Sequence, residues 1–411
     1  MKAPTGDWQA YLDGLAVFGM RPGLERVAAL LEALGRPHAG LRFVHVVGTN
    51  GKSSTTRYCA ALLRAHGLRC GAYLSPHITG WCDRVLVDGA PIAAETLGAA
   101  VGRVRDETRR LPAALGETTQ FEVLTVAALL ALAESGVDAV ALEAGLGGRL
   151  DATNVVAAEV VVLTNVGLEH TEVLGTTREA IFAEKAAVIR GGDAVFGPLE
   201  GLEGAAEATC ARAGARAHLL GRDFTVAGVP SDFTVATVAA RYTRLRLPSV
   251  ALYQVVNAGL AVVAAELLLG GLDLETVRAG LDAAVVPGRL QVVGRCPLTV
   301  VDGAHNPHGM RARAEWLEAL APGRPRVAVL AVLRDKDADG VVAALLPRMD
   351  AVVCTETSEP RALPAEELAA RVECAAAATR QAAGAEGVGR VTGEGRVGGA
   401  GGGLPVRVAR D

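Results

Sequence analysis

The chain has 411 residues, half of them hydrophobic, 21% charged and only 4% aromatic. That excludes a disordered or fibrous chain and calls for a core of Ala, Val and Leu spread over about two or three domains. With 41 basic against 45 acidic residues and a net charge of −4, a strongly basic nucleic-acid binder is also excluded, and no nucleic-acid partner is expected.

The seven cysteines are odd in number, and no two form a Cys-x-x-Cys pair. They suit a reducing compartment rather than a disulfide framework or a thiolate zinc site. Asp7 and Trp8 stand where a secretory leader would need an apolar stretch, so the expectation is a cytoplasmic protein.

The first strong element is Phe43–Val47, a continuous apolar run that suits a strand buried on both faces. Gly48-Thr49-Asn50-Gly51-Lys52-Ser53-Ser54-Thr55 follows it. Tyr58, Ala61, Leu62 and Ala65 then repeat at helical spacing, and Gly67 stops the helix. A glycine-rich turn between strand and helix can curl its N–H groups around phosphates. Lys52 would reach the β- and γ-phosphates of ATP, and Ser53 could hold Mg²⁺. The strict pattern asks for glycine six positions before the lysine, where this chain has Val46. An ordinary strand-to-helix turn is the alternative.

Val137–Leu142 reads as a second buried strand, followed by Glu143-Ala144-Gly145-Leu146-Gly147-Gly148-Arg149-Leu150-Asp151-Ala152-Thr153-Asn154. A carboxylate at a strand's C-terminal end is well placed for the Mg²⁺ that accompanies ATP; a structural cap is the other reading. Val160–Leu163 is a third strand, leading into Thr164-Asn165-Val166-Gly167-Leu168-Glu169-His170. His170 could be a metal ligand, a base or a packed histidine. A helical pattern begins near Thr177 and carries Glu184-Lys185 into an apolar stretch, where a lysine is costly to bury unless paired or modified.

Asp223–Leu247, rich in Thr and Val, predicts a small β excursion. Leu247 to Ala265 carries no charge, but Pro248, Ser249, Gln254, Asn257 and Gly259 make it the start of a buried helix rather than a membrane span. Helical patterns run from about Gln254 to Ala284. Val286-Pro287-Gly288-Arg289 then reads as a domain boundary.

Beyond it lie the strands Leu298–Val301, Val327–Val332 and Ala351–Cys354. The first leads into Asp302-Gly303-Ala304-His305-Asn306-Pro307. Asp302 and His305 near a hinge arginine suggest a site formed when two domains close; an Asx turn would explain Asp302 and Asn306 alone. From Gly384 to Gly403 glycine dominates and periodicity vanishes, as in a loose tail. The alternation of strands and helices predicts an α/β fold with mainly parallel sheet.

Together these segments, in this order, resemble the folylpolyglutamate synthase/dihydrofolate synthase family within the Mur-ligase superfamily. The resemblance runs from about Gly19 to Pro364. It is most specific at Glu143–Asn154 and Asp302–Pro307, with further matches at Ser75-Pro76-His77, Gln120-Phe121-Glu122, Lys336 and Arg361. It implies an ATP-binding P-loop domain over residues 1–287, like the central domain of Mur ligases. A smaller Rossmann-like glutamate-ligase domain would cover 288–383, and the glycine-rich tail 384–411.

The resemblance also implies roles. Gly48, Thr49, Asn50, Gly51, Lys52, Ser53, Ser54, Asn257, Arg289 and Asp302 would contact ATP. Ser53 or Ser54, with Glu143 and His170, would hold Mg²⁺. Lys185 would carry a carbamate, and His305 would lie near the incoming glutamate. Ser75, Pro76, His77, Gln120, Phe121 and Glu122 would line the folate pocket. The implied reaction joins L-glutamate to a pteroate or folate carboxylate through an acyl phosphate, with Lys52, Lys185 and His305 catalytic. Apart from the resemblance, a monomer with no membrane partner is expected.

Four features depart from the family pattern. Glu169 stands where Asp is usual, and Tyr253 where His is usual. Ser53-Ser54 replaces Gly-Ser, and the final segment lacks the family's strand and Thr-Gly-Ser turn. Two rival readings are a Mur-type ligase acting on a peptidoglycan precursor and a P-loop ATPase or switch.

Overall fold

The computed structural model describes residues 7–16, 406–408, and 23–382 apart from 308, 312, 314–316, 318–321, 358 and 360. The chain divides into two compact units, Met1–Gln291 and Val292–Asp411.

The first unit is built on an eight-stranded sheet with the order β4-β3-β2-β5-β1-β6-β7-β8. Its strands are β1 (Arg42–Val47), β2 (Cys70–Tyr73), β3 (Val85–Val87), β4 (Ala90–Pro91), β5 (Ala139–Glu143), β6 (Val160–Leu163), β7 (Asp193–Phe196) and β8 (Arg216–Leu219). All neighbours from β2 to β8 run parallel; β3 and β4 are antiparallel additions at one edge.

The continuous apolar runs follow from burial on both faces. Along β1, Val44 and Val46 join a core with Tyr58 and Leu62 of the helix Lys52–Ala65 and Leu260 of the helix Tyr253–Leu269. Phe43 points to the opposite face, into a core with Leu124 of the helix Gln120–Glu134; Val47, on that same face, packs with Ile181 of the helix Arg178–Ala186. A period of two thus feeds two helical layers.

The uncharged run from Leu247 becomes the helix Tyr253–Leu269, with Gln254 and Asn257 buried in it. Gly270 and Gly271, both at positive φ, separate it from the helix Leu274–Asp282. Among the described residues no helix is long and apolar enough to cross a membrane. The Thr- and Val-rich stretch forms an antiparallel sheet of β9 (Thr225–Val229), β10 (Asp232–Ala236) and β11 (Arg241–Leu245).

The second unit has a three-stranded sheet of β14 (Val327–Leu330), β15 (Ala351–Cys354) and β16 (Val406–Val408), all parallel. Separate from it is the pair β12 (Gln291–Arg295) and β13 (Leu298–Val301). Two expectations need correction. Leu298–Val301 is a strand, but with Leu298 and Val301 exposed, because among the described residues it pairs with β12 alone in a two-stranded sheet. The tail expected to be loose contains β16, because the apolar Val406 and Val408 pair with Val352 and Cys354. The rest of 384–411 lies outside the described residues.

Candidate active site

The parallel strands deliver four chain segments to one sheet edge: the loop after β1, Ser75 after β2, Glu143 closing β5 and Thr164 after β6. The central position of β1, between β5 and β6, gathers them. Ligand crevices of open α/β sheets form at such an edge.

The loop Gly48–Gly51 is shaped from the β6 side. Thr49 N donates to Asn165 O (3.1 Å) and Asn50 N to Asn165 Oδ1 (3.0 Å), while Thr164 Oγ1 donates to Asn50 O (2.6 Å). A Cβ on Gly48, at φ 147, would fall on Thr164 Oγ1, and one on Gly51, at φ 85, on Asn257 Oδ1. The glycines are therefore required by both conformation and space. No side chain caps the helix that starts at Lys52. Its first N–H groups and positive end face the loop, the arrangement that binds phosphate. Lys52 Nζ is folded back onto Gly48 O (3.0 Å) and Thr49 O (3.1 Å).

Glu143 is 1% exposed. Ser53 Oγ donates to its Oε1 (2.8 Å) and Ser75 N to its Oε2 (3.0 Å). Burial pushes its carboxyl above the usual range, opposed by Lys52, by these two hydrogen bonds and by Arg289. The two serines divide: Ser54 is buried, and its hydroxyl accepts from Gln254 Nε2 (3.1 Å), whose amide in turn accepts from Asn257 Nδ2 (2.9 Å). Ser53 alone faces the carboxylate. One carboxylate and one hydroxyl suit Mg²⁺, which takes few protein ligands and completes its shell with phosphate and water. Among the described residues no three His, Cys, Asp or Glu side chains converge as a ready-made metal centre. His170, at φ 51, precedes the helical turn Thr171–Leu174, with Glu169 and Glu172 at 3.9 and 3.8 Å.

Lys185 is 3% exposed, and its Nζ donates to Gly48 O (2.9 Å). Burial, reinforced by the nearby Lys52 charge, lowers its pKa to about 7. Its neighbour Glu184 turns outward to Arg149 (2.9 Å), so it does not neutralise the lysine.

The segments expected around the folate divide into two kinds. Phe121 packs near Tyr73 (centroids 6.0 Å) and closely over Gly145, while His77 accepts from Arg84 Nε (3.0 Å) and meets Trp81 edge-on. Glu122 serves the fold instead. Its buried carboxylate is held by Arg26 Nη2 (2.7 Å) and caps the helix through Thr119 N (2.7 Å). Gln120 Nε2 is likewise engaged by Leu12 O (2.9 Å). The acceptor oxygens of Glu122 thus already satisfy a buried guanidinium.

In the second unit Asp302 pairs with Arg313 and accepts from Ala304 N (2.7 Å). His305 is exposed, with Nδ1 2.9 Å from Gly303 O. Sequence reasoning assigned no role to Thr164, Asn165 or Gln254, which fix the phosphate loop and its helix. Their signal is position, at the strand end beside β1 and on the helix behind it.

Residues 46–193 match the Mur ligase middle domain and residues 288–396 the Mur ligase glutamate ligase domain. A dihydrofolate synthase/folylpolyglutamate synthase of Mycobacterium tuberculosis is 36% identical over 376 residues, covering 85% of this chain and 77% of that protein. The structure of E. coli FolC in complex with DHPP and ADP is similar at a TM-score of 0.81 and 30% identity, over 98% of this chain and 93% of that one. A bifunctional folylpolyglutamate synthase/dihydrofolate synthase with Mn, AMPPNP and L-glutamate bound is similar at 0.78 and 32% identity, over 98% and 93%.

Proposed function

The chain belongs to the folylpolyglutamate synthase/dihydrofolate synthase family of the Mur ligases, and on that footing we propose that it is an ATP-dependent ligase joining L-glutamate to a pteroate or folate carboxylate. The observation that carries this reading is the sheet edge itself. An uncapped phosphate loop with Lys52, a buried Glu143 bridged to Ser53, and a buried Lys185 on the loop's own carbonyl meet within one unit.

A free carboxylate does not react with an amine, because oxide cannot leave. Its oxygen instead attacks the γ-phosphorus of ATP and ADP departs, giving an acyl phosphate. The glutamate nitrogen then attacks the acyl carbon, and phosphate leaves with the electron pair of the broken C–O bond. Lys52 leaves its loop carbonyls for the γ-phosphate, and the helix N-terminus steadies the phosphate charge. Glu143 and Ser53, with His170, would hold Mg²⁺, which would supply positive charge to offset that of the phosphates.

Lys185 is read as a carbamate. A neutral amine at ordinary pH is the form that takes up CO₂, and the resulting anion suits a hard cation. Asn257, Arg289 and Asp302 are assigned to the nucleotide, His305 to the incoming glutamate, and Ser75, Pro76, His77 and Phe121 to the pterin substrate. The protein is read as a cytoplasmic monomer.

Incubating the protein with MgATP, L-glutamate and either dihydropteroate or tetrahydrofolate, then weighing the products by mass spectrometry, tests the proposal. Mass gains of one or more glutamyl residues with matching ADP release are expected. ATP turnover indifferent to both pterin and glutamate would point to a P-loop ATPase and overturn it.

A further inference from the structure

Arg57 lies one turn after Ser53 on the helix Lys52–Ala65, so the two share a face. Ser53 Oγ on that face meets Glu143 and lies 3.4 Å from Ser75 O. Arg57 is partly buried there, within electrostatic reach of Glu143, Asp83 and Arg289, yet it forms no hydrogen bond or ion pair among the described residues. Desolvation without a bound anion is a penalty that a guanidinium rarely bears unless a ligand removes it.

Neither nearby carboxylate is positioned to satisfy it. Asp83 Oδ2 accepts from Thr79 N (2.6 Å), Thr79 Oγ1 (2.8 Å) and the N–H groups of Ile78 and Gly80 (3.3 Å each). Glu143 is bridged to Ser53 and Ser75. A second guanidinium faces the same space. Arg289 is carried between Gly288 and Leu290, both at positive φ, and Leu290 is buried. A Cβ on Gly288 would lie 3.7 Å from Ile78 Cδ1, so this segment abuts the loop after Ser75. Lys52, Arg57, Arg84 and Arg289 all act electrostatically on or with the one buried carboxylate of Glu143. The cations at this end outnumber that carboxylate.

The phosphates take the helix N-terminus and Lys52. Arg57 sits a turn beyond, about 5 Å along the axis, on the β2–β5 side. In-line transfer requires the attacking oxygen to approach the γ-phosphorus from the side away from ADP. Resting on the ligase reading above, we propose that Arg57 binds the carboxylate of the pteroate or folate substrate, orients it toward the γ-phosphate, and so selects substrates that carry this charge.

The test compares the wild type with Arg57→Gln and Arg57→Lys. Binding of dihydropteroate and of its neutral carboxamide is measured by calorimetry, with ADP binding as the check on folding. Arg57→Gln should weaken dihydropteroate binding about 10- to 100-fold, the scale of one lost charge-assisted contact, and leave the carboxamide and ADP unchanged. Arg57→Lys should recover part of the loss. Equal affinity of wild type and Arg57→Gln for dihydropteroate would overturn the inference while leaving the ligase reading intact. A loss confined to ADP would overturn it by making Arg57 a nucleotide contact. A wild type that binds no pterin in either form would overturn both.

Discussion

Lys185 Nζ donates to the backbone carbonyl of Gly48 over 2.9 Å, tying the helix Arg178–Ala186 to the first residue of the phosphate loop. That hydrogen bond is to a neutral oxygen, in a site where burial favours the uncharged amine. A lysine serving as a carbamate and one serving as a cation then behave differently under substitution. Lys185→Ala should be nearly inactive, and short-chain carboxylic acids should restore part of the rate by supplying an anion. Lys185→Arg should fail despite its charge. Full activity in Lys185→Arg, with no carbon-13 carbamate signal in labelled bicarbonate, would refute the assignment.

The same amine makes stability pH-dependent. Its folded pKa of about 7 lies below the ordinary 10.5. Between the two the unfolded chain binds the extra proton, so stability rises with pH across that window; below about 7 the buried charge exerts its full penalty. In bicarbonate-free buffer, the Tm of the wild type should gain on that of Lys185→Met as pH rises from about 7 toward 10. A constant difference would mean the lysine titrates normally.

Lys52 has no substitute at the helix start. Lys52→Ala should fold and lose at least about 100-fold in turnover, the scale of one preorganised charge contact to a transition state. Steady-state ADP release in the presence of both acceptors measures it.

The opposed orientation of the two serines separates their roles. Ser53→Ala and Glu143→Ala should raise the Mg²⁺ concentration needed for half-maximal activity. Ser54→Ala should leave it in place and show instead as a lower melting temperature, since it orphans Gln254 inside the helical layer. Magnesium titrations of the three variants distinguish them, and identical shifts for Ser53→Ala and Ser54→Ala would contradict the geometry.

The buried Arg26–Glu122 pair predicts a stability effect. Glu122→Ala leaves Arg26 buried without its carboxylate and should destabilise by about 3–5 kcal/mol, whereas replacing both with apolar residues of similar volume should recover most of it. Chemical denaturation measures both. A Glu122→Ala variant of wild-type stability that fails to bind pterin would return the residue to the ligand pocket.

Much of this was legible in the chain itself. β1 and its loop could be read because a Val-rich run, two glycines and a lysine at fixed spacing are local features whose chemistry follows from backbone conformation alone. The Thr-rich excursion was visible as a composition change, and the structure forms β9–β11 there. β2, by contrast, is Cys-Gly-Ala-Tyr, without β-branched residues; it is a strand because β5 and β3 pair with it on either side.

What spacing could not supply was the partner of each polar side chain. Ser53 and Ser54 are adjacent and alike, yet about 100° of helix rotation sends one to Glu143 and the other to Gln254, 200 residues away. Glu122 sits in a segment that reads as a ligand pocket, and only the approach of Arg26, 96 residues earlier, makes it structural. Local sequence determines which backbone conformations and charges are available. Whether a charge binds a ligand, a metal or another part of the fold is decided by which distant group desolvates it first, and that belongs to the tertiary structure.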